Sequence, residues 1–488
     1  MKKTFRRALY LTHRWLGIGM ALLMAAWCAS GIVMLWHTWP QPAAHALSAV
    51  PAPIHWPATR PDLQDLDRNK SFQAFQISMI GQEPVLTLTP DDGPPFALDL
   101  RTGRAGRIAP ADAAFSALRY ARATGAEGQP VFAGLTTDDQ WVLDTHGRDN
   151  GFYRFVFPDA AHTQVYVSSL TGEVVQATTR ATRLWAWAGA IPHWLYPAVL
   201  RRHPLLWKNV VIVLSGTGVF LTVTGLWIGL LRLRRAAPFT PYRGWHCVHH
   251  LGGTVFGLLA LLWITTGLLT MSPAGMFQSN PNAVSPLRVT GTMTGEDIQT
   301  VLSRLISTAP QDWTGVKTSL LDGHIFMQVK QDSRLQRLDE SLTPAPLTRE
   351  QIAQSLLSKN LLKTPDALTF LTGTDAYYFS RPMHKRRFPV WRAEAADGTR
   401  TYLDGQSGEV LAILDLPARQ SRWLVYGLHD LDFWAWLRDA PIHWGIALPL
   451  LSGVFCVFLS GVIIGIRRLR LMRRWRPSKL NGQPKRIF

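Results

Sequence analysis

The chain has 488 residues, of which 47% are hydrophobic and 17% are charged, whereas soluble domains contain roughly 25% charged residues. This composition excludes a disordered chain and a collagen-like repeat. The three cysteines, Cys28, Cys247 and Cys456, lie in or beside apolar runs, so a disulfide scaffold is also excluded.

The net charge of +18 lies in three short segments, 1–14, 232–243 and 467–488. These segments contain five, four and nine Lys or Arg residues and no acidic residue, so the remainder of the chain is neutral. A nucleic-acid-binding protein would spread its positive charge over a folded face, and we therefore expect no nucleic-acid partner. Basic segments that adjoin apolar runs are instead typical of the cytoplasmic side of a membrane protein.

Four apolar runs are long enough for the roughly 20 residues that cross a lipid bilayer. All three basic segments lie on one side of the membrane if the N-terminus is cytoplasmic. We therefore expect a multi-pass protein of the bacterial inner membrane, with both termini cytoplasmic and two large periplasmic domains. The predicted order is a cytoplasmic N-terminus (1–14), a span (15–36), a periplasmic domain (37–204), a span (205–231), a cytoplasmic loop (232–247), a span (248–271), a second periplasmic domain (272–443), a span (444–466) and a basic cytoplasmic tail (467–488).

The second half of the sequence repeats residues of the first half at one constant offset. The matching residues are His13, Gly17, Trp27 and Gly31 with His249, Gly253, Trp263 and Gly267; Tyr166, Gly172 and Glu173 with Tyr402, Gly408 and Glu409; His193 with His429; and Gly225 and Gly229 with Gly461 and Gly465. Each half reads span, domain, span from the same side, which predicts two parallel repeats about an axis along the membrane normal. Ala44-His45-Ala46 resembles a signal-peptidase site, but the first run has an internal counterpart, so we expect a retained span.

Each periplasmic domain has an α+β pattern. Helical periodicity covers 111–123 and 348–362, and short alternating runs that predict strands follow each helix. These runs are 140–144, 151–157, 164–168, 390–395 and 400–403. The predicted fold class is therefore four transmembrane helices in two parallel repeats, each carrying an α+β domain.

Histidines concentrate at the ends of the predicted spans: His13, His37, His193, His203, His246, His249, His250, His429 and His443. Snorkelling at the membrane interface explains any single one of them equally well. The repeat favours a function for two pairs, because a pseudo-two-fold axis would bring His13 opposite His249 and His193 opposite His429. Ionisable residues at membrane spans are costly and often functional.

The surroundings of these histidines favour haem. His13 and His249 are each followed by a glycine and a tryptophan on the same helical stripe, which leaves room for a flat macrocycle. We predict bis-histidine haem, about two per chain, with His13, His249, His193 and His429 as axial iron ligands. No CxxCH occurs, so the signature of covalently bound c-type haem is absent from the sequence. The glycines alone are equally typical of helix packing, and zinc, which prefers four protein ligands, would find only Cys247 nearby.

Several ligand choices stay open. His250 adjoins His249 but points about 100° away on a helix, so only one of the two can face His13, and the offset favours His249. His37, His203 and His443 are alternatives at the periplasmic face, although their repeat positions hold no histidine. Gly225 and Gly461, each in a GxxxG pair, are interpreted as helix-packing residues.

These features resemble the PepSY-associated transmembrane proteins over nearly the whole chain. The resemblance rests on His13-Arg14-Trp15-Leu16-Gly17, Ser30-Gly31, Thr266-Gly267, Trp245 to Gly252, the two Tyr-to-Gly-Glu strands and the His193 and His429 segments. Family members include inner-membrane ferric-siderophore reductases, which are similar in having four spans, periplasmic PepSY-type domains and b-type haem bound by span-edge histidines.

The resemblance implies an oxidoreductase that moves electrons across the membrane. Electrons would come from quinol or a separate reductase on the cytoplasmic side and would reduce a ferric chelate, such as a ferric siderophore, in the periplasm. No GxGxxG follows a strand, so bound NAD(P)H or flavin is not expected, and no catalytic acid or base is required. The alternatives are a transporter of the chelate, which the scarcity of polar residues in the spans disfavours, and a membrane-anchored PepSY sensor or inhibitor, which would not need paired histidines.

One basic cluster, His384-Lys385-Arg386-Arg387, stands out in the otherwise neutral periplasmic portion. Tyr377, Tyr378, Phe388 and Trp391 flank it, and arginine with aromatic groups suits an anionic or aromatic chelate. A solvated loop whose charge offsets nearby acids is the alternative.

Overall fold

The computed structural model describes residues 2–47, 52–59, 61–143, 151–331, 334–381 and 385–474. The chain forms two compact units. The first comprises Met1–Thr38, Trp187–Met276 and Trp423–Phe488, and the second comprises Trp39–Ala186 and Phe277–Arg422.

Long helices alternate along the chain with groups of strands and shorter helices. The helices are α1 (Lys2–Met34), α2 (Ala44–Leu47), α3 (Pro110–Thr124), α4 (Arg180–Ala188), α5 (Ala190–Trp194), α6 (Ala198–Arg201), α7 (Pro204–Arg232), α8 (Trp245–Thr270), α9 (Leu287–Thr290), α10 (Gly295–Thr308), α11 (Arg349–Ser358), α12 (Leu416–Ser421) and α13 (Ala440–Arg474). The strands are β1 (Ser71–Ile80), β2 (Glu83–Pro90), β3 (Phe96–Asp99), β4 (Ala105–Gly106), β5 (Val131–Thr136), β6 (Phe152–Val156), β7 (Gln164–Ser168), β8 (Val174–Thr178), β9 (Met293–Thr294), β10 (Trp313–Leu321), β11 (His324–Gln331), β12 (Arg334–Leu338), β13 (Leu368–Leu371), β14 (Val390–Glu394), β15 (Arg400–Asp404) and β16 (Val410–Leu414). Short 3₁₀ segments lie at Pro273–Gly275, Pro365–Ala367 and Ala435–Arg438, and a π-helical segment lies at Arg422–Gly427.

The first unit is built from long apolar helices. Among the described residues, α1, α7, α8 and α13 are long and apolar enough to cross a membrane, which confirms the four predicted spans. Helices α1 and α13 reach beyond the apolar runs, to Lys2 and Arg474, because the adjoining basic residues are good helix formers and no proline interrupts them there. The predicted tail continues past the described residues. Helix α1 packs against α7 and α13, and α8 packs against the same two helices.

The second unit is organised around an eight-stranded antiparallel sheet. Its order is β12-β11-β10-β1-β2-β3-β4, with β9 also paired to β1. Strand β1 from the first half lies beside β10 from the second, with Ile77 opposite Val316. Buried apolar side chains from both halves, such as Phe75 and Met327, form one core. The segments predicted as separate domains at 37–204 and 272–443 therefore share a sheet and a core, so most of both belongs to one compact unit.

Two four-stranded sheets complete this unit, in the orders β5-β6-β7-β8 and β13-β14-β15-β16. The Tyr166 hydroxyl donates to Asp139 Oδ2 over 2.8 Å in the first, and the Tyr402 hydroxyl donates to Asp375 Oδ2 over 2.8 Å in the second. The offset that relates the two tyrosines also relates the two aspartates, so one contact occurs at matching positions of both halves.

Most of the predicted elements of these sheets are confirmed. Helices α3 and α11 cover the predicted helical runs, although α11 stops at Ser358, before Asn360, which has a left-handed φ of 56°. Strands β6, β7, β14 and β15 match predicted runs. The strand predicted at 140–144 is wrong over 140–143, where the chain turns, and Asp144 lies outside the described residues. The strand of this region is instead β5, which ends at Thr136, before the turn. It is an edge strand whose Val131, Phe132 and Leu135 are exposed, so it lacks the usual alternation of apolar and polar residues.

Candidate functional site

Two pairs of histidines face each other in the helical unit. In the first pair, His13 of α1 and His249 of α8 have ring centroids 6.4 Å apart, with 41° between the ring planes. In the second pair, His193 of α5 and His429, which follows the π-helical segment, have ring centroids 6.2 Å apart, with 58° between the planes. The structure thus brings together the residues of both predicted pairs.

The two pairs lie at different depths along the same helices. The second pair contacts α1 at Trp27, whose carbonyl oxygen lies 3.1 Å from His193 Nδ1. At the rise of an α-helix, Trp27 lies about 21 Å from His13 along α1. On α8, Thr266 contacts His429 and is separated from His249 by a similar stretch of helix.

Each imidazole of the first pair is bound through Nδ1. His13 Nδ1 lies 3.2 Å from the Leu221 carbonyl oxygen of α7, and His249 Nδ1 lies 3.0 Å from the Val457 carbonyl oxygen of α13. A carbonyl oxygen can only accept, so Nδ1 carries the proton in each ring. Nε2 is therefore the nitrogen whose lone pair is available to a ligand.

The second pair repeats this arrangement. His193 Nδ1 donates to the Trp27 carbonyl over 3.1 Å, and His429 Nδ1 lies 3.0 Å from Thr266 Oγ1. The Trp263 indole Nε1 donates to the His429 backbone carbonyl over 3.1 Å. Burial lowers the pKa of both His193 and His429 to about 4, and the neighbouring imidazole lowers that of His193 further. Because a pKa of about 4 lies well below neutral pH, both rings are neutral there and can act as ligands.

Four glycines let these rings approach the helices. A Cβ placed on Gly225 would lie 2.6 Å from His13 Cε1, one on Gly461 3.3 Å from His249 Cε1, one on Gly31 3.3 Å from His193 Cε1, and one on Gly267 3.5 Å from His429 Cε1. The interpretation of Gly225 and Gly461 as helix-packing residues is therefore corrected, because they accommodate imidazoles. Gly17 and Gly253 face Leu221 and Val457 instead.

The alternative histidines do not join either pair. Both nitrogens of His250 are engaged, Nδ1 with Thr240 Oγ1 at 2.8 Å and Nε2 with the Gly229 carbonyl oxygen at 2.9 Å, so it is His249 that faces His13. His443 Nδ1 lies 3.2 Å from the Leu437 carbonyl oxygen. His37 and His203 are exposed.

The donor set limits what each pair could bind. Within the described parts of the chain, no group of three or more His, Cys, Asp or Glu residues could hold a metal ion. A zinc site with four protein ligands therefore does not match either pair. A metal that two opposed imidazoles ligate at about 2 Å from each nitrogen would hold the ring centroids roughly 6 Å apart. Both pairs match that spacing, and the remaining metal ligands would have to come from a cofactor.

The basic cluster predicted to bind a chelate is partly neutralised. The Arg387 guanidinium lies 2.9 Å from Glu409 Oε2 and 3.8 Å from Asp404 Oδ2. Arg386 lies 4.9 Å over the ring of Tyr378, and Lys385 is exposed. His384 lies outside the described residues. Arg386 and Lys385 therefore carry the charge that a ligand could meet.

The model of the family described as PepSY-associated TM region matches residues 10–464. The chain belongs to this family. No curated protein matches the chain. The matched region includes both histidine pairs, the three described sheets, helices α7 and α8 and most of α1 and α13, so the resemblance noted in the sequence is confirmed.

Replacing Gly225 by alanine should destabilise the protein. The new methyl group would stand 2.6 Å from His13 Cε1, so the ring or helix α7 must move, at a cost of about 1–3 kcal/mol. Gly216→Ala on the same helix meets nothing within 4 Å and should leave stability unchanged or slightly higher. Thermal unfolding midpoints in detergent compare the two variants. Equal midpoints would contradict the close contact between Gly225 and the ring.

Proposed function

We propose that this PepSY-associated membrane protein is a haem-dependent electron-transfer protein that reduces ferric chelates. The observation that carries the proposal is the geometry of the two pairs, with centroid separations of 6.4 and 6.2 Å and Nδ1 of every ring bonded to the protein. His13 and His249 would hold one b-type haem, and His193 and His429 a second. Haem, when bound, supplies one-electron redox chemistry at potentials set by its ligands and their surroundings.

The chain's own contribution is to hold neutral, oriented ligands in an apolar setting. Carbonyl groups of α1, α7 and α13 fix the rings through Nδ1 and so present Nε2. Met20, Met24, Leu221 and Ile264 form an apolar cluster between the helices, which excludes water from the interior of the bundle. Trp27 Nε1, buried beside the second pair, has no hydrogen-bond partner among the described residues and could donate to a polar group of a bound cofactor.

We further infer that the halves are parallel repeats in the bacterial inner membrane, with α+β PepSY-like portions in the periplasm. Equal offsets support the repeat, because Leu221 and Val457, which hold His13 and His249, are separated in the chain by the same distance as the two histidines. The basic segments support the orientation. The first pair would then lie near the cytoplasm and the second near the periplasm.

The substrate would be a ferric siderophore or another ferric chelate. One electron converts its Fe(III) to Fe(II), which oxygen-rich chelators bind more weakly, so iron is released. The electron would enter from quinol or a separate reductase on the cytoplasmic side. Family membership and the two histidine pairs at different depths support electron transfer over chelate transport or a sensor role.

Removal of single ligands should remove one haem at a time. Wild-type protein should contain about two low-spin haems with a reducible Soret band. His13→Ala or His249→Ala should abolish one, and His193→Ala or His429→Ala the other, as measured by haem and protein quantification. The exposed His203 provides the control, since His203→Ala should keep both. Full haem content in all four ligand variants would refute the assignment.

The orientation is tested by reporter fusions. Fusions after Thr59 and after Asn282 should be active only as periplasmic reporters, and a fusion after Arg235 only as a cytoplasmic reporter, because the basic segments stay inside. A cytoplasmic signal from either of the first two positions would show that the topology is inverted.

Neutralising the accessible part of the basic cluster should slow the reaction with an anionic chelate. Lys385→Gln with Arg386→Gln removes the charge that is not paired with Glu409, so haem content should stay normal. Reoxidation of the dithionite-reduced protein by an anionic ferric chelate should slow several-fold and lose its salt dependence. The control, Arg104→Gln with Arg334→Gln, makes the same change in net charge at exposed positions elsewhere. If both double variants react like wild type, the cluster is not the docking site.

A further inference from the structure

The four long helices carry four copies of one short pattern, which we call the imidazole cradle. In each copy, the first residue offers its carbonyl, the fourth is Ser or Thr and the fifth is glycine. The cradles are Trp27–Gly31 on α1, Leu221–Gly225 on α7, Trp263–Gly267 on α8 and Val457–Gly461 on α13. They receive His193, His13, His429 and His249, respectively.

Each cradle hydroxyl contacts Nδ1 of its histidine. In the first pair, Thr224 Oγ1 lies 3.3 Å from His13 Nδ1, and Ser460 Oγ lies 3.1 Å from His249 Nδ1. In the second pair, Ser30 Oγ lies 3.3 Å from His193 Nδ1, and Thr266 Oγ1 lies 3.0 Å from His429 Nδ1. The same hydroxyl position is thus used four times, by serine twice and by threonine twice.

The hydroxyl proton is already committed in every cradle. Thr224 and Ser460 donate to the carbonyls of Leu221 and Val457 over 2.8 and 2.7 Å. Ser30 donates to the Trp27 carbonyl over 2.9 Å, and Thr266 donates to the Leu262 carbonyl over 2.8 Å, with the Trp263 carbonyl 3.1 Å away. A hydroxyl has one proton, so toward the imidazole it can only accept. The carbonyl and the hydroxyl therefore both accept a hydrogen bond from a protonated Nδ1. In a neutral imidazole this leaves Nε2 unprotonated.

We propose that the cradle hydroxyls are positioning residues that fix the tautomer and ring orientation of the four histidines for metal ligation. They are Ser30, Thr224, Thr266 and Ser460. The proposal rests on the proposed function for the identity of the bound group, although the tautomer can be measured without it. Hydrogen-bond partners behind a histidine ligand raise its basicity, and their loss typically lowers metal affinity roughly 10–100-fold. A loss of affinity near tenfold is expected here, because the cradle carbonyl still accepts the hydrogen bond from Nδ1 when the hydroxyl is removed.

The test uses isosteric loss of one hydroxyl. Thr224→Val should lower the affinity of the His13/His249 pair for haem about tenfold and raise the midpoint potential of that haem, because a less basic imidazole stabilises the ferric state less. Thr224→Ser should behave as wild type, since Ser460 serves the same role in the other cradle. Thr222→Val is the control on the same helix, because the Thr222 hydroxyl donates to the Gly218 carbonyl over 2.8 Å and contacts no histidine among the described residues. Haem titration of apoprotein and redox titration give the two readouts, and Thr266→Val repeats the test at the second pair.

A second readout needs no haem. In apoprotein labelled with ¹⁵N-histidine, the Nδ1–H tautomer should dominate for the four paired histidines in wild type. Thr224→Val should broaden or shift the His13 signal, while Thr222→Val should not. If Thr224→Val and Thr222→Val match in affinity, potential and ¹⁵N shift, the cradle proposal is overturned. If the tautomer is as expected but wild type binds no haem, the proposed function fails while the cradle's control of the tautomer stands.

Discussion

A neutral imidazole packed among apolar helices has one N–H group that cannot donate a hydrogen bond to water, so the protein must supply the acceptor. Here the acceptors are helix carbonyls, which have a second lone pair free after bonding within the helix. Reaching such a carbonyl brings the ring against the helix surface, where a Cβ would crowd Cε1 at Gly225, Gly31 and Gly461 and would only touch it at Gly267. Glycine at the fifth cradle position removes that crowding, most critically at Gly225. The spacing of each histidine pair follows from where two cradles hold their rings.

Much of the helical unit could be predicted from the sequence, because long apolar runs between basic clusters have few alternative structures. Both histidine pairs also followed from the offset alone. The imidazole cradles were not predicted, although their repeated Ser-Gly or Thr-Gly pattern is present in the sequence. From the sequence, Ser30-Gly31 and Thr266-Gly267 stand out as span ends, whereas Gly225 and Gly461 are interpreted as GxxxG packing residues and Thr224 and Ser460 carry no signal of their own. Sequence spacing along one helix does not show which side chain from another helix fills the space above a glycine.

The sheet unit illustrates a different limit. The apolar residues of β1 and β10, such as Ile77 and Val316, predict strands but not that these two strands, which belong to different halves of the chain, pair with each other. Register between distant strands depends on tertiary packing, which local periodicity does not encode. Strand β5 was missed because an edge strand with exposed Phe132 and Leu135 lacks alternation, while the buried Trp141-Val142-Leu143 run resembled a strand.

The equal offsets also bear on the order of events during synthesis. Each cradle and its histidine belong to the same half of the chain, so His13 and His193 can be seated on α7 and α1 once the first half has been inserted. Their partners, His249 and His429, leave the ribosome only as the second half is made. Any ligand that requires both imidazoles of a pair must therefore wait for the second half. Capture at the His193/His429 pair becomes possible only after α8 and the strands that follow it have been synthesised, because His429 lies beyond them in the chain.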